Sequence, residues 1–343
     1  MQSTEQMEIT VVGAGGWGTA VSRLLANRGH QVHLWVRDKR LAERIDRERV
    51  NEKYLAGVAL PQKGLEVFTE LAEVAGHGEL FLMAVPSFAM REGCERIANL
   101  SPVDRKQSTV FISLAKGVEQ DRFLTMSEVL VEVLDVEPEQ VFALSGPSHA
   151  EEVGRDVPTT VVLAGRDLET GERLQRALMT DRFRVYLSDD IRGVEYAAAI
   201  KNVIALACGI SDGLGYGDNS KGALISRGLA EMVRLADYLS VRRETFFGIA
   251  GLGDLVTTCI SEHSRNRYVG QRIGKGETLV QIQHDMTMVA EGIYATRAIH
   301  RMAQARGIEM PITAAVYDIL YQGADPLNKV DEMMTREPKV ERL

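Results

Sequence analysis

Short apolar runs rich in β-branched residues recur along the first half of the chain. Each is followed by a stretch whose apolar positions return every three or four residues. The runs at 9–12, 31–36, 66–69, 80–85, 109–114, 141–144, 159–163 and 184–187 read as strands. Many are apolar throughout, as strands covered on both faces of a parallel sheet must be. Strands alternating with helices predict an α/β fold, a Rossmann-type doubly wound sheet. The pattern changes after Ser188-Asp189-Asp190, any of which can cap a following helix. Beyond that point the periodicity is helical, broken by glycine-rich stretches at 213–217 and 248–253. The expected organisation is therefore a first domain over 1–188 and an all-helical second domain over 189–343. The charged tail at 335–343, with Pro338, is expected to fray.

The first strand leads into GAGGWG, and the residues at 19–28 have helical spacing, closed by Gly29. Strand, glycine loop and helix form the context in which G-x-G-x-x-G carries meaning. Gly13 allows the tight turn, Gly15 lets backbone approach a pyrophosphate, and Gly18 lets helix and strand pack closely. The helix N-terminus adds unpaired N–H groups for the anion. Arg37 and Asp38 follow the second strand, roughly 20 residues past the last glycine, where a ribose-reading residue belongs. An acidic residue there accepts from the 2′-hydroxyl of NAD, and an arginine accommodates the 2′-phosphate of NADP. With Arg37 first and Arg40 nearby, the reading leans to NADP(H) and leaves NAD(H) open; a solvated charge cluster is the plainer alternative.

Composition narrows the field. A chain of 343 residues, 45% hydrophobic and 26% charged, is long enough for two globular domains. A net charge of −8 speaks against nucleic acid or an anionic membrane as main partner. The polar start MQSTEQMEIT does not read as a secretory leader. No apolar run reaches membrane-spanning length, the longest lying near 203–210, so no membrane insertion is expected. Cys94, Cys208 and Cys259 are odd in number and far apart, with no C-x-x-C pair. That argues against a disulfide frame or a metal site and fits a reducing cytoplasm.

Lys201 is the most telling single residue. Val194, Ala197, Ala198, Ile204, Ala205 and Cys208 share its helix face, so an ammonium stands inside a buried stripe. Burial lowers a lysine's pKa and suits it to move protons near neutrality. The alternatives are a snorkelling lysine or a structural ion pair. Asn202 is adjacent and points about 100° away. Downstream, Asp254 follows Gly251-Leu252-Gly253, either presented at a turn beside a ligand or capping a helix over 255–260. Ser264 reads as an N-cap, with Arg265 and Asn266 behind it and a helix running to Gly274. Cap, dipole, arginine and amide together suit a phosphate. Lys116 and Gly146-Pro147-Ser148 follow predicted strands, where ligands of open sheets gather, but ordinary loop residues are as good a reading.

These motifs converge. GAGGWGTA, AKG at 115–117, SGPSHA at 145–150, KNVIALACG at 201–209, the long run at 212–231, GLGDLVTTC at 251–259, SRNR at 264–267 and VAEG at 289–292 resemble the bacterial glycerol-3-phosphate dehydrogenase family over nearly the whole chain. The resemblance implies reversible reduction of dihydroxyacetone phosphate to sn-glycerol 3-phosphate by NADPH or NADH, feeding phospholipid synthesis, and a homodimer is expected. It implies that Lys201 is the proton acceptor in alcohol oxidation. It implies substrate contacts at Lys116, Gly146, Ser148, Lys201, Asp254, Ser264, Arg265 and Asn266. It implies cofactor contacts at Gly16, Trp17, Arg37, Lys116, Ala150, Arg265, Val289 and Glu291, beside the glycines Gly13, Gly15 and Gly18. The chain departs from the family pattern at Gly16, where serine is frequent, and at Arg37, where some members have histidine.

Two rivals remain at this point. A 6-phosphogluconate or 3-hydroxyacid dehydrogenase places an asparagine four residues after its lysine, where this chain has Ala205. A catalytically silent nucleotide-binding protein explains the glycine loop but not Lys201.

Overall fold

The computed structural model describes residues 6–75, 78–100, 109–338 and 340–341. The expectations for residues 1–5 and for 339, 342 and 343 lie outside the described residues. The chain divides into two compact units. One runs to Ala115 and resumes over Leu124–Ile191. The other joins Lys116–Phe123 to Arg192–Leu343.

The first unit is built on β1 (Glu8–Val12), β2 (Gln31–Trp35), β3 (Val50–Asn51), β4 (Leu55–Ala59), β5 (Leu65–Phe68), β6 (Leu80–Met83), β7 (Val110–Ser113), β8 (Val141–Ser145), β9 (Thr159–Gly165) and β10 (Phe183–Ser188). Eight of these form one sheet in the order β10-β9-β8-β7-β6-β1-β2-β5. The order reverses between β1 and β6, and the loop after β1 is the glycine loop. In such sheets ligands bind at this reversal.

Successive side chains of a strand face opposite ways. Ile9, Val11, Leu80 and Leu82 join one apolar cluster. Val12, Phe81, Met83 and Phe111 join another on the opposite face. That is why these strands are apolar throughout.

Three features differ from the expectation. The pair β8–β9 is antiparallel, the rest of the sheet parallel. Only a four-residue helix, Ala150–Val153, lies between them, too little to cover the sheet as the crossover of a parallel pair does. The first helix, α1, spans Gly16–Arg28 and so begins before residue 19. Its first turn is glycine-rich, and apolar spacing is blind to it. The strands β3 and β4 form a small separate antiparallel pair without an apolar run to announce it.

The second unit is helical among the described residues and is organised around the helix Ile191–Gly213. This helix corrects the expectation about membrane length. Its 23 residues are long and apolar enough to cross a bilayer by composition, yet its apolar window is entirely buried within the protein. Lys201 and Asn202 interrupt the run of apolar letters, which hid its length. Ile200, Val203, Ile204 and Cys208 are fully buried among Met232, Phe246, Leu255 and Ile299 of neighbouring helices. It is the core helix of this unit, and that burial fixes where Lys201 stands.

Candidate functional site

In the first unit, the glycine loop separates fold from ligand requirements. Gly13 has φ +114°, and an added Cβ would lie 2.7 Å from the Ala84 carbonyl oxygen. At Gly18 the Cβ would lie 2.0 Å from the Gly13 carbonyl oxygen. Both glycines are demanded by the fold. Gly15 is different: φ is −67°, which any residue adopts, and an added Cβ meets nothing within 4 Å. The missing side chain serves no neighbour in the protein, so the space suits an approaching ligand. Gly15 also N-caps α1 without a side-chain cap, leaving the helix N-terminus open to an anion. This is what a dinucleotide pyrophosphate needs.

Other expected cofactor and substrate residues also belong to the first unit. Trp17 is half-buried in the first turn of α1, its ring 6.4 Å from that of Phe183. An added Cβ at Gly16 would lie 2.8 Å from the Tyr54 carbonyl oxygen and 3.4 Å from the Ala150 Cβ. A side chain at Gly16 would therefore press on the Tyr54 backbone. Gly146 has φ +127°, and its carbonyl accepts from Ser148 Oγ at 2.8 Å. Arg37 is exposed. Asp38 caps the helix Lys39–Glu48, accepting from the Leu41 N–H at 3.1 Å, and stands 3.8 Å from Lys53 Nζ.

In the second unit, Lys116, Lys201 and Asp254 form one cluster. Lys201 Nζ donates to Asp254 Oδ1 at 2.6 Å and to Thr258 Oγ1 at 2.6 Å. Lys116 Nζ donates to the other oxygen, Oδ2, at 2.8 Å. Thr258 Oγ1 in turn donates to the Asp254 carbonyl oxygen at 2.6 Å, so its lone pairs face the ammonium. Lys201 is 4% exposed and Asp254 2%, so neither is a solvated charge.

Burial pushes the Lys201 ammonium down to about 8, Asp254 opposes the fall, and the charge of Lys116 adds to it. Burial alone would raise the Asp254 carboxyl. Lys116 and Lys201 outweigh it and hold that carboxyl well below the usual carboxylate range. The ion-pair reading of Lys201 and the proton-transfer reading thus describe the same side chain.

Asp254 departs from the turn reading. It lies in the first turn of the helix Asp254–Ile260, behind a π-helical turn over Ile249–Gly253, and Gly253 occupies the N-cap. It is a buried anchor for two lysines and does not cap the helix.

The helix Arg265–Gly274 carries the expected phosphate residues. Ser264 caps it, accepting from the Arg267 N–H at 3.2 Å. Its first turn leaves orphan N–H groups. Arg265 is exposed and donates from Nη1 to the Val289 carbonyl at 2.9 Å, which leaves most of its five N–H donors for other partners. Asn266 is buried; its Nδ2 donates to Asn202 Oδ1 at 2.8 Å and its Oδ1 accepts from the Gly292 N–H at 2.8 Å. Asn202 Nδ2 donates to the carbonyls of Lys116 and Ala198, both at 3.1 Å. Two buried amides thus tie the lysine helix, the Lys116 segment, the capped helix and the start of the helix Glu291–Arg306.

Backbone contact fixes the separation of the two main helices. Cβ atoms added at Gly209 and Gly213 would fall 2.1 and 2.3 Å from the carbonyl oxygens of Arg267 and Gln271. At Gly270 and Gly274 they would fall 2.2 and 2.3 Å from those of Leu206 and Ile210. Reciprocal glycines let the helices meet backbone to backbone, which places the capped N-terminus relative to Lys201.

Sequence reasoning missed Thr258 and Asn51. Thr258 sits one turn after Asp254 on the same face, a signal that needed the helix start to be known. Asn51 bonds the glycine loop from a strand too short to read.

The model of the NAD-dependent glycerol-3-phosphate dehydrogenase N-terminus matches residues 8–171. That of the C-terminus matches residues 190–331. The chain is 48% identical to glycerol-3-phosphate dehydrogenase (NAD(P)+) of Chlorobium limicola, over 98% of this chain and 99% of that one. It is 46% identical to the protein of the same name from Pelodictyon phaeoclathratiforme, over 98% and 100%. Its structure is similar to that of glycerol-3-phosphate dehydrogenase from Coxiella burnetii, with TM-score 0.91, 37% identity and coverage of 96% and 99%.

Proposed function

We infer the chemistry of these residues from one premise: the chain belongs to the NAD-dependent glycerol-3-phosphate dehydrogenase family. It is an oxidoreductase that interconverts dihydroxyacetone phosphate and sn-glycerol 3-phosphate with a nicotinamide dinucleotide. We assign the pyrophosphate to the glycine loop and proton transfer to the Lys201 cluster.

The observation that carries the assignment of the acid–base is the buried Lys201 ammonium held by Asp254 and Thr258. When bound, the nicotinamide exchanges a hydride with the reacting carbon of the substrate, and the protein supplies orientation and a proton. In ketone reduction Lys201 Nζ donates its proton to the carbonyl oxygen as charge develops there. In alcohol oxidation the neutral amine accepts that proton. Asp254 keeps the ammonium formed at a buried position, and the Thr258 hydroxyl fixes its direction. Lys116, on the far oxygen of the same carboxylate, leaves the cluster with net positive charge and so attractive to an anionic substrate. Gly146 and Ser148 are proposed as further substrate contacts on the strength of the family resemblance.

The phosphate is assigned to the Ser264-capped helix end, with the Arg265 guanidinium and the Asn266 amide. Held there, away from the reacting carbon, it contributes binding energy that aligns the ketone. The direct test is loss of reduced-cofactor absorbance on adding dihydroxyacetone phosphate, compared with dihydroxyacetone. No absorbance change with the phosphate would remove the assignment.

The cofactor residues proposed are Gly13, Gly15, Gly16, Trp17, Gly18, Arg37, Lys116, Ala150, Arg265, Val289 and Glu291. For the 2′-position we assign a preference for NADP(H). Asp38 is engaged as a helix cap through one oxygen, and the Arg37 guanidinium beside it is exposed and suits a 2′-phosphate. Arg37→Ala is expected to raise the Michaelis constant for NADPH more than that for NADH, with turnover nearly unchanged, because the contact is equal in ground and transition states. Equal losses for both cofactors would reduce Arg37 to a loop residue.

We further propose a homodimer in the cytoplasm that supplies glycerol 3-phosphate for phospholipid synthesis. The resemblance supports all three, and the buried free thiols of Cys94, Cys208 and Cys259 suit a reducing compartment. Sedimentation equilibrium checks the dimer.

A further inference from the structure

Asn51 belongs to none of the motifs above, yet it is fully buried and holds the glycine loop from β3. Its Nδ2 donates one hydrogen to the Ala14 carbonyl at 2.9 Å and the other to Thr19 Oγ1 at 2.8 Å. Thr19 Oγ1 donates to the same Ala14 carbonyl at 3.4 Å. Asn51 Oδ1 accepts from the Tyr54 N–H at 3.3 Å, which closes the turn between β3 and β4. Each donor hydrogen of this amide is used, one on the glycine loop at Ala14 and one on Thr19, the residue after Gly18.

The chemistry lies in the peptide between Ala14 and Gly15. In a trans peptide the carbonyl and the following N–H point in opposite directions. Fixing the Ala14 carbonyl on Asn51 therefore turns the Gly15 N–H away from β3. That N–H has no partner among the described residues, and it borders the open space beside Gly15. The opposite orientation of the peptide would offer a carbonyl dipole to a diphosphate and repel it. Glycine at 15 makes the flip cheap, because no Cβ resists the change of φ. A loop whose glycine is reserved for ligand approach thus needs an external lock.

We propose that Asn51 is a positioning residue for the cofactor: it locks the Ala14–Gly15 peptide with its N–H directed at the pyrophosphate. The inference rests on the reading of the glycine loop as the pyrophosphate site. Both NADPH and NADH carry that group, so the lock serves both alike, in contrast to Arg37.

The test is binding of NADPH, NADH and 2′-AMP to Asn51→Ala and Asn51→Asp, by calorimetry, with turnover at saturating cofactor and melting temperature alongside. The adenosine fragment has no pyrophosphate and is the control. Asn51→Ala is expected to raise Kd for NADPH and NADH by a common factor of about ten, the worth of one well-placed hydrogen bond. Kd for 2′-AMP and saturating turnover should stay at parent values. Asn51→Asp fills the same volume and preserves packing if the alanine variant does not fold. Its carboxylate faces the Ala14 carbonyl, so its loss should exceed that of alanine and shrink at low pH, where the protonated acid donates again. Unchanged dinucleotide binding in the folded variants, or an equal loss for 2′-AMP, overturns the proposal.

Gly15→Val separates the two claims. Its Cβ meets nothing within 4 Å in the fold, and the side chain stands where the ligand would approach. If it loses dinucleotide binding while Asn51 variants do not, the lock fails and the loop assignment stands. If it binds NADPH as the parent does, the loop assignment fails, and the lock with it.

Discussion

Lys201→Ala is expected to lower turnover by roughly 10²–10⁴-fold, the span seen on removing a general acid–base, with cofactor Kd near the parent value. An ammonium at 4% exposure is costly unless paired, and here it is paired to Asp254 and aimed by Thr258. With a pKa near 8 it can give up and regain a proton at working pH. The sign of the pH dependence follows. Ketone reduction needs the charged form, so its rate should fall as pH rises through about 8. Alcohol oxidation needs the neutral form and should rise over the same interval. Both limbs should vanish in Lys201→Ala.

The variant leaves Asp254 with Lys116 as its remaining lysine partner, so a drop in melting temperature is expected as well. Melting curves and cofactor titration separate that loss from catalysis. A folded Lys201→Ala protein with near-parent turnover, or one that keeps both pH limbs, would dismiss the proposed role.

What could be read from the sequence follows from how far each signal reaches along the chain. The strands of the main sheet were legible because each is a local apolar run covered on both faces. The glycine loop was legible because strand, loop and helix are contiguous. Lys201 was legible because a charge within a helical apolar stripe violates its surroundings. The reach ends where meaning depends on a partner far along the chain. Asp254 reads as a turn residue until Lys116 and Lys201 are brought to its two oxygens. The direction of β9 relative to β8 is carried by a four-residue helix between them, which alternation alone cannot weigh. Asn51 lies in a two-residue strand beside an exposed turn, and its burial is caused by the glycine loop it holds. The glycines at 209, 213, 270 and 274 look like weak points in helices. Their use emerges when the two backbones meet.

Arg265→Ala is expected to raise the Michaelis constant for dihydroxyacetone phosphate about 100-fold. A hydrogen bond to a charged group contributes roughly 1.5–3 kcal/mol, and a guanidinium reaches a phosphate through two. At 1.36 kcal/mol per decade, a loss of about 3 kcal/mol is a factor near 100. Arg265→Lys keeps the charge without the planar fork and should fall between the parent and the alanine variant. One side effect has to be separated. Arg265 also donates to the Val289 carbonyl, two residues before the helix Glu291–Arg306, so its removal can loosen a segment assigned to the cofactor. Cofactor Kd measured without substrate isolates that loss. The decisive comparison uses unphosphorylated dihydroxyacetone, which lacks the group the arginine is proposed to hold. It should be a poor substrate for the parent and no worse for Arg265→Ala, because neither reaction has a phosphate to bind. A similar fall in kcat/KM for both substrates would mean that Arg265 supports the fold of this segment and that the phosphate lies elsewhere. A fall confined to the phosphorylated ketone, with cofactor Kd unchanged, would leave the capped helix end and its arginine as the phosphate site.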